Sequence, residues 1–402
     1  SMALLEDGTL WTWGDNDKGQ LGDGTNTRRL RPKKIMDGIS SIDAGDFHAL
    51  AVGNDGTLWA WGWNGWGQLG DGSDVDRNVP VRVMTGVRQA SAGFKWIAAV
   101  KTDGSLWVWG DDVSGKGLLW SPVKMLDGVR QVSAGYSHIL AVMADGRLMA
   151  WGSNDVGQLG NGTTDWDWHN TPVKIMDGVV QVSACDGTSM AVKQDGALWA
   201  WGEDRYGNLG LGTKKVNSKV PVKILDNIKY VQVGGQHSMA IDRNGNLWAW
   251  GNNSHGQICT GTHGDCLRPT KVMSGVSHVS GGGDETLVVC RDGSLWLMAP
   301  GIAQPRKLMD GVRKASTQNN INMVLRNDGT LLTWGTNRNG QLGDGTTEYR
   351  YDPSEARQIM SGVSDICAGN RHAMAIKTDG FLWAWGWNEY GQLGNGTKSD
   401  SH

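Results

Sequence analysis

Apolar residues along this chain of 402 come in short runs separated by the same polar punctuation again and again. Ala49-Leu50-Ala51-Val52 is followed by Gly53-Asn54-Asp55-Gly56-Thr57 and then by Leu58-Trp59-Ala60-Trp61. Asp-Gly tolerates the positive φ of a tight turn, so the two apolar runs read as the paired strands of a hairpin. Both runs are apolar on their two faces, which predicts a small sheet sandwiched between neighbours, with neither side left to water.

The second half of that hairpin, Asp-Gly-x-Leu-Trp-x-Trp-Gly, recurs cleanly at residues 7–14, 55–62, 103–110, 195–202 and 379–386. Weaker copies start at Asp145, Asn244, Asp292 and Asp328, and the one at Asp292 ends Leu297-Met298-Ala299 in place of Trp-Gly. The closing glycines fall at 14, 62, 110, 152, 202, 251, 335 and 386, a period of about 48 residues. Each period carries a run such as Val132-Ser133-Ala134-Gly135, two variable residues, the hairpin, a Gly-rich loop and a Pro-Val-x-x-Met/Leu strand. Four short strands per period, repeated radially, describe a propeller blade. The expected fold is therefore all-β, a β-propeller of four-stranded antiparallel blades. Nine hairpins stand against eight intervening segments, and residues 3–25 and 375–397 are one element present twice, so eight or nine blades are expected. Residues 1–402 are expected to form a single propeller domain. Because Ser1-Met2-Ala3-Leu4-Leu5 reads as the middle of a strand, the expectation extends to a segment of a longer chain.

Composition sharpens this picture at a few points. Of 22 Trp, most occupy the Trp-x-Trp positions and are explained by packing between blades. Trp63, Trp66, Trp96, Trp120, Trp166, Trp168 and Trp387 are not, and carry the information. A net charge of −3 gives no general attraction to phosphate backbones or anionic membranes, so neither nucleic acid nor membrane insertion is expected. Five scattered cysteines imply no disulfide framework. Cys259 and Cys266 share a loop with His255 and His263, leaving a local bridge, a metal site or neither open, with neither favoured.

The Trp-Gly strand is followed by Gly-Gln-Leu-Gly-Asp/Asn-Gly-Thr at residues 19–25, 157–163, 340–346 and 391–397. With that loop the chain resembles the regulator-of-chromosome-condensation (alpha-tubulin-suppressor-like) repeat family, in its bacterial-type tandem form, over essentially its whole length. The resemblance implies a propeller, usually of seven blades. The founding member exchanges nucleotide on a small GTPase through a protruding wedge and binds chromatin through a basic tail. Here successive motifs leave no room for a long insertion and no basic arm precedes Ala3. A plant ultraviolet-B photoreceptor is also similar, but its chromophore Trp falls at Asn370, and Asp46, Phe94, Tyr136, Asp186, Gly235, Gly283 and Asn319 fill that position elsewhere. A secreted bacterial β-lactamase inhibitor with a similar propeller binds its target through aromatics on one face. A secreted or surface bacterial protein is the favoured setting.

Catalytic signatures are poor. Gly110-Asp111-Asp112-Val113-Ser114-Gly115-Lys116-Gly117 nearly spells a phosphate-binding loop, but Gly117 replaces the Ser/Thr and no helix follows. Asp15-Asn16-Asp17-Lys18-Gly19 has ordinary turn composition and lacks the terminal acid of a helical calcium loop. His48, His138, His237 and His372 share one repeat position with Trp96, Thr188, Glu285 and Ile321, a mixture that marks a hydrogen-bonding strand position. No enzyme activity, catalytic residue, metal or cofactor is expected.

Binding is expected where positions escape the repeat. Two variable residues after each Ala-Gly should ring one mouth of the channel, with Phe47, Phe94, Lys95, Trp96, Tyr136 and Arg371 as contacts. The loops after Trp-Gly supply Trp63, Trp66, Trp387 and Tyr390, along with Tyr206 and His255. The expected function is a non-catalytic protein-interaction scaffold with an aromatic-rich face. The alternatives are a glycan-binding or adhesion module, with Trp63, Trp66 and Trp387 stacking on sugars, and an inhibitor or regulator of a partner enzyme, guanine-nucleotide exchange included.

Overall fold

Each hairpin of the sequence is a hairpin in the computed structural model, which describes residues 1–45, 47–92, 96–111, 117–234, 236–254, 258, 264–282, 285–299, 302 and 304–402. Ile39–Ala44, His48–Gly53, Leu58–Gly62 and Arg77–Met84 form one antiparallel sheet in chain order. Among the described residues there are nine such sheets, seven of four strands and two of three. They are the blades of a β-propeller. The first sheet, Met2–Leu4, Leu10–Gly14 and Arg29–Met36, lacks the innermost strand. The last, Val363–Ala368, His372–Lys377 and Leu382–Gly386, lacks the outermost. The count of hairpins over intervening segments thus reappears as two incomplete blades.

The chain divides into two compact units, one of residues 1–203, 216–223 and 390–396, the other of residues 204–215, 224–389 and 397–402. In the first unit, Leu50, Val52, Leu58, Ala60 and Leu69 of one blade pack on Val87, Ile97, Ala99 and Trp109 of the next, all buried. In the second, Leu287, Val289, Leu295 and Leu297 pack likewise on Val312, Ala315, Val324 and Trp334. Strands apolar on both faces are therefore sandwiched, as their sequence required.

The two tryptophan positions of the hairpin, both filled in six of the nine copies, do different work. The second is core: Trp61, Trp109, Trp151, Trp201 and Trp250 are fully buried. In most blades its indole also latches onto the loop of the preceding blade, as Trp61 Nε1 donates to the Gln20 carbonyl at 3.0 Å and Trp109 Nε1 to that of Gln68 at 2.9 Å. Trp201 uses Gln158, Trp250 uses Asn208 and Trp385 uses Gln341. Gly22 follows this logic: at φ +69° it lies against the indole, and a Cβ there would come within 2.8 Å of Trp61 Nε1. The loop is held from inside by Asn16, whose Oδ1 accepts from the Leu21 N–H at 2.9 Å while Nδ2 donates to the Thr25 carbonyl at 2.9 Å. Gly-Gln-Leu-Gly is in this way an inter-blade clasp.

Candidate functional site

Strand register decides where the variable residues go. His48 pairs with Gly62 and His372 with Gly386, so the residue before the His sits beside the residue after the Gly. The backbone seals this neighbourhood: the Trp63 N–H donates to the Phe47 carbonyl at 2.9 Å, and the Trp387 N–H to that of Arg371 at 2.9 Å. The same bond links Ser153 to Ser137, Glu203 to Gly187, Asn252 to Gln236 and Thr336 to Asn320. Candidates read from the sequence as two separate groups are therefore adjacent positions at one end of the blade. A side chain at Gly62, φ +102°, would collide with the Phe47 carbonyl, which explains the fixed glycine between them.

Four blades fill this pair with non-aromatic polar residues or glycine, but two carry aromatic rings there. Phe47, 44% exposed, meets Trp63 edge to face with ring centroids 6.3 Å apart and planes at 85°. Arg371 lies over the ring of Trp387, 5.2 Å from its centroid. The two pairs belong to different units, Phe47–Trp63 to the first and Arg371–Trp387 to the second. Tyr136, also in the first unit, is 83% exposed, and its N–H donates to the Asp186 carbonyl at 3.2 Å.

The remaining candidates are less free. Trp96 is half-buried and packs on the cluster containing Ala98, Leu106, Val108 and Ile139. Trp66, Tyr206 and Tyr390 occupy one loop position and point from a turn whose N–H is tied to a side-chain oxygen, at 2.9 Å to Gln68, 3.1 Å to Asn208 and 3.0 Å to Gln392. Trp66 and Tyr206 are half-buried, whereas Tyr390 is exposed with the Arg28 guanidinium 4.9 Å over its ring. Phe94, Lys95, His255, Cys259, His263 and the segment 112–116 of the loop resembling a phosphate site lie outside the described residues.

The repeat histidines are strand residues, and in three of them burial disfavours the charged form. His138 Nε2 is 2.8 Å from Ser189 Oγ, which donates to the Gln158 carbonyl at 2.8 Å, and desolvation pushes the imidazole down to about 4. His237 and His372 are lowered for the same reason. Among the described residues no three His, Cys, Asp or Glu side chains gather in a way that would hold a metal. No helix of the described residues is long and apolar enough to cross a membrane.

Sequence reasoning gave no role to several exposed aromatics. Trp166, 92% exposed, and Trp168 lie two residues apart on the long outer strand Asp165–Met176, where His169 Nε2 is 2.8 Å from Asp165 Oδ1. Tyr349 and Tyr351 stack at 5.4 Å with planes 19° apart. Their sole signal was departure from the repeat pattern.

The model of the regulator of chromosome condensation (RCC1) repeat matches residues 7–52, 55–100, 145–192, 195–241, 244–289 and 328–376. This chain belongs to the RCC1 repeat family. It is similar to the ultraviolet-B receptor UVR8 of Arabidopsis thaliana, 35% identical over 100 residues, which are 24% of this chain and 22% of the receptor. It is 35% identical over 78 residues to human RCC1 domain-containing protein 1, covering 19% of this chain and 21% of that protein. The matched segments thus span about a fifth of the length of these curated relatives. Among solved structures, human WBSCR16 is similar with a TM-score of 0.58 at 20% identity, over 91% of this chain and 98% of that one. Prp20p of Saccharomyces cerevisiae, described for its binding to Gsp1p and histones, gives a TM-score of 0.54 at 19% identity, over 79% and 91%. These structures bear out the RCC1-like fold.

Proposed function

We propose that this RCC1-repeat propeller is a non-catalytic protein-interaction scaffold, and that its first unit takes hold of a protein partner through Phe47, Trp63 and Tyr136. The observation that carries this reading is the Phe47–Trp63 pair, an exposed ring against a half-buried one, at two positions where the other blades described, that of Arg371 and Trp387 apart, carry Ser, Gly, Glu, Gln, Asn and Thr. Exposing large apolar rings where the scaffold accepts a serine costs solubility and gains nothing for packing, which fits a contact surface. Aromatic anchors lose little side-chain freedom on binding and dominate interface energetics. Prp20p, with the same fold, is described with protein partners, which agrees with this class of role.

The test is a triple replacement, Phe47→Ala, Trp63→Ala and Tyr136→Ala, used as bait beside the unaltered protein. Loss of a discrete partner with an unchanged melting temperature supports the scaffold; capture unaffected by the three changes refutes this site.

A further inference from the structure

The sheet of Val276–Gly282, Glu285–Cys290, Leu295–Met298 and Arg306–Met309 departs from its neighbours at two places. Its outer strand has four residues where Arg77–Met84, Leu119–Leu126 and Cys266–Met273 have eight. Its second strand ends in Cys290, which pairs with Val276 as Lys101 pairs with Val87, Lys193 with Val179 and Lys377 with Val363. Those three lysines lie over the first Trp of their hairpins, with Nζ 5.7, 6.0 and 5.8 Å from the ring centroids of Trp107, Trp199 and Trp383. Cys290 brings only a thiol to the side of Trp296.

A cleft of about 500 Å³ opens here, between Cys266–Met273 of the preceding sheet and the turn that follows Cys290. Val272, Met273, Cys290, Trp296 and Pro305 give it apolar walls, and its size is that of a site for a small molecule. Burial pushes the Cys290 thiol up, so that wall is uncharged. Arg291 and Asp292 supply charge at its edge. The Asp292 carboxylate is engaged: Oδ1 accepts from the Ser294 N–H at 2.9 Å and from Ser294 Oγ at 2.6 Å, and Lys307 acts on it electrostatically. The Arg291 guanidinium has no hydrogen-bond or ion-pair partner among the described residues. Its Nη2 lies against the preceding turn, where a Cβ on Gly245 would come within 2.7 Å of it. Asn54, Thr102, Ala144, Gln194, Asn327 and Thr378 fill its position in most other copies, so the repeat requires no cation there.

We propose that this cleft is a binding site for a small aromatic monocarboxylate. The ring of the ligand packs on Trp296 and the apolar walls, and its carboxylate takes paired N–H donors from Arg291, the fork for which a guanidinium is shaped. Apolar burial supplies the affinity, and the guanidinium selects the acid over a neutral analogue. Asp292 at the same edge repels a second negative charge, which favours a monoanion over a phosphate ester. The cleft lies inside the second unit, whereas Phe47, Trp63 and Tyr136 belong to the first, so the proposal does not rest on the scaffold reading.

The probe is 3-phenylpropionate, titrated into the full chain by calorimetry. Binding of one ligand per chain is expected. 3-Phenylpropanamide, which has the same shape without the charge, should bind at least tenfold more weakly. The same loss is expected with Arg291→Gln, and with Cys290→Lys, whose side chain would lie over Trp296 as Lys101 lies over Trp107. Both replacements use residue types that the repeat already carries at these positions, in Gln194 and Lys101, so the melting temperature should hold. If Cys290→Lys fails to fold, the amide and Arg291→Gln still decide the matter. No binding at millimolar 3-phenylpropionate, equal binding of the amide, or undiminished binding by folded Arg291→Gln or Cys290→Lys would overturn the proposal.

Discussion

The indole of Trp13 donates to the carbonyl of Gln392 at 2.7 Å, across 379 positions of sequence. Elsewhere this bond clasps one blade to the loop before it; here it ties the first Trp strand to a loop from the far end of the chain, inside one unit. Gly394, at φ +69°, lies against the same ring as Gly22 lies against Trp61. The clasp belongs to the repeat, so it operates wherever a Gly-Gln-Leu-Gly loop meets a Trp strand.

Two blades that do carry the second Trp lack it, which supplies an internal control. Trp151 and Trp334 are buried, yet their Nε1 groups find no acceptor among the described residues, and both follow a shortened loop without Gly-Gln-Leu-Gly. Trp61→Phe and Trp109→Phe lose a hydrogen bond as well as volume, whereas Trp151→Phe and Trp334→Phe lose volume alone and relieve a stranded donor. Urea unfolding should show the first pair less stable than the second by about 1–3 kcal/mol.

Asp204 departs from the loop pattern while the clasp of its blade, Trp250 to Asn208, stays intact. It occupies the loop position held by Asn16, Asn64, Asn154, Asn253, Asn337 and Asn388, all buried, and Leu211 stands where Asn16 finds Asp23. Burial raises its carboxyl above the ordinary value, partly offset by hydrogen bonds from Leu209 and Thr213. A carboxyl raised on folding favours the native state at acid pH, and that advantage is lost as pH rises through the folded value. Asp204→Asn should therefore raise the melting temperature at neutral pH, by an amount equivalent to about 1 kcal/mol, and the gain should vanish near pH 3.

His138 titrates in the opposite sense. Burial lowers its imidazole from 6.5 to about 4, so the unfolded chain takes up the proton first. Stability should fall as pH drops from 6.5 to 4, by about 3 kcal/mol from this residue, and His138→Gln should flatten that part of the profile. Chemical denaturation at intervals of half a pH unit measures it; an identical slope in both proteins would contradict the assignment.

What was legible in the sequence follows from how local each signal is. Asp-Gly turns and Leu-Trp-x-Trp runs are local, so the hairpins, the four-strand order and the surplus hairpin could be read directly. The clasp could not, because its acceptor is a main-chain carbonyl that Asn208 provides as well as Gln20. The pairing of Phe47 with Trp63 was latent in the hairpin register, since a residue before His48 must neighbour one after Gly62. Exposure was the missing quantity: Trp96 and Trp66 read as equals of Phe47 but sit half-buried.

The scaffold reading is tested most directly by placing the photo-crosslinking residue benzoylphenylalanine at positions 47, 136, 166 and 349, one at a time, and irradiating each protein in an extract of its source. Adducts with one discrete protein from positions 47 and 136, and none from 166 or 349, are the predicted result. Adducts from 166 or 349 alone, or none from 47 and 136, would contradict a partner held at the Phe47 end of the blades.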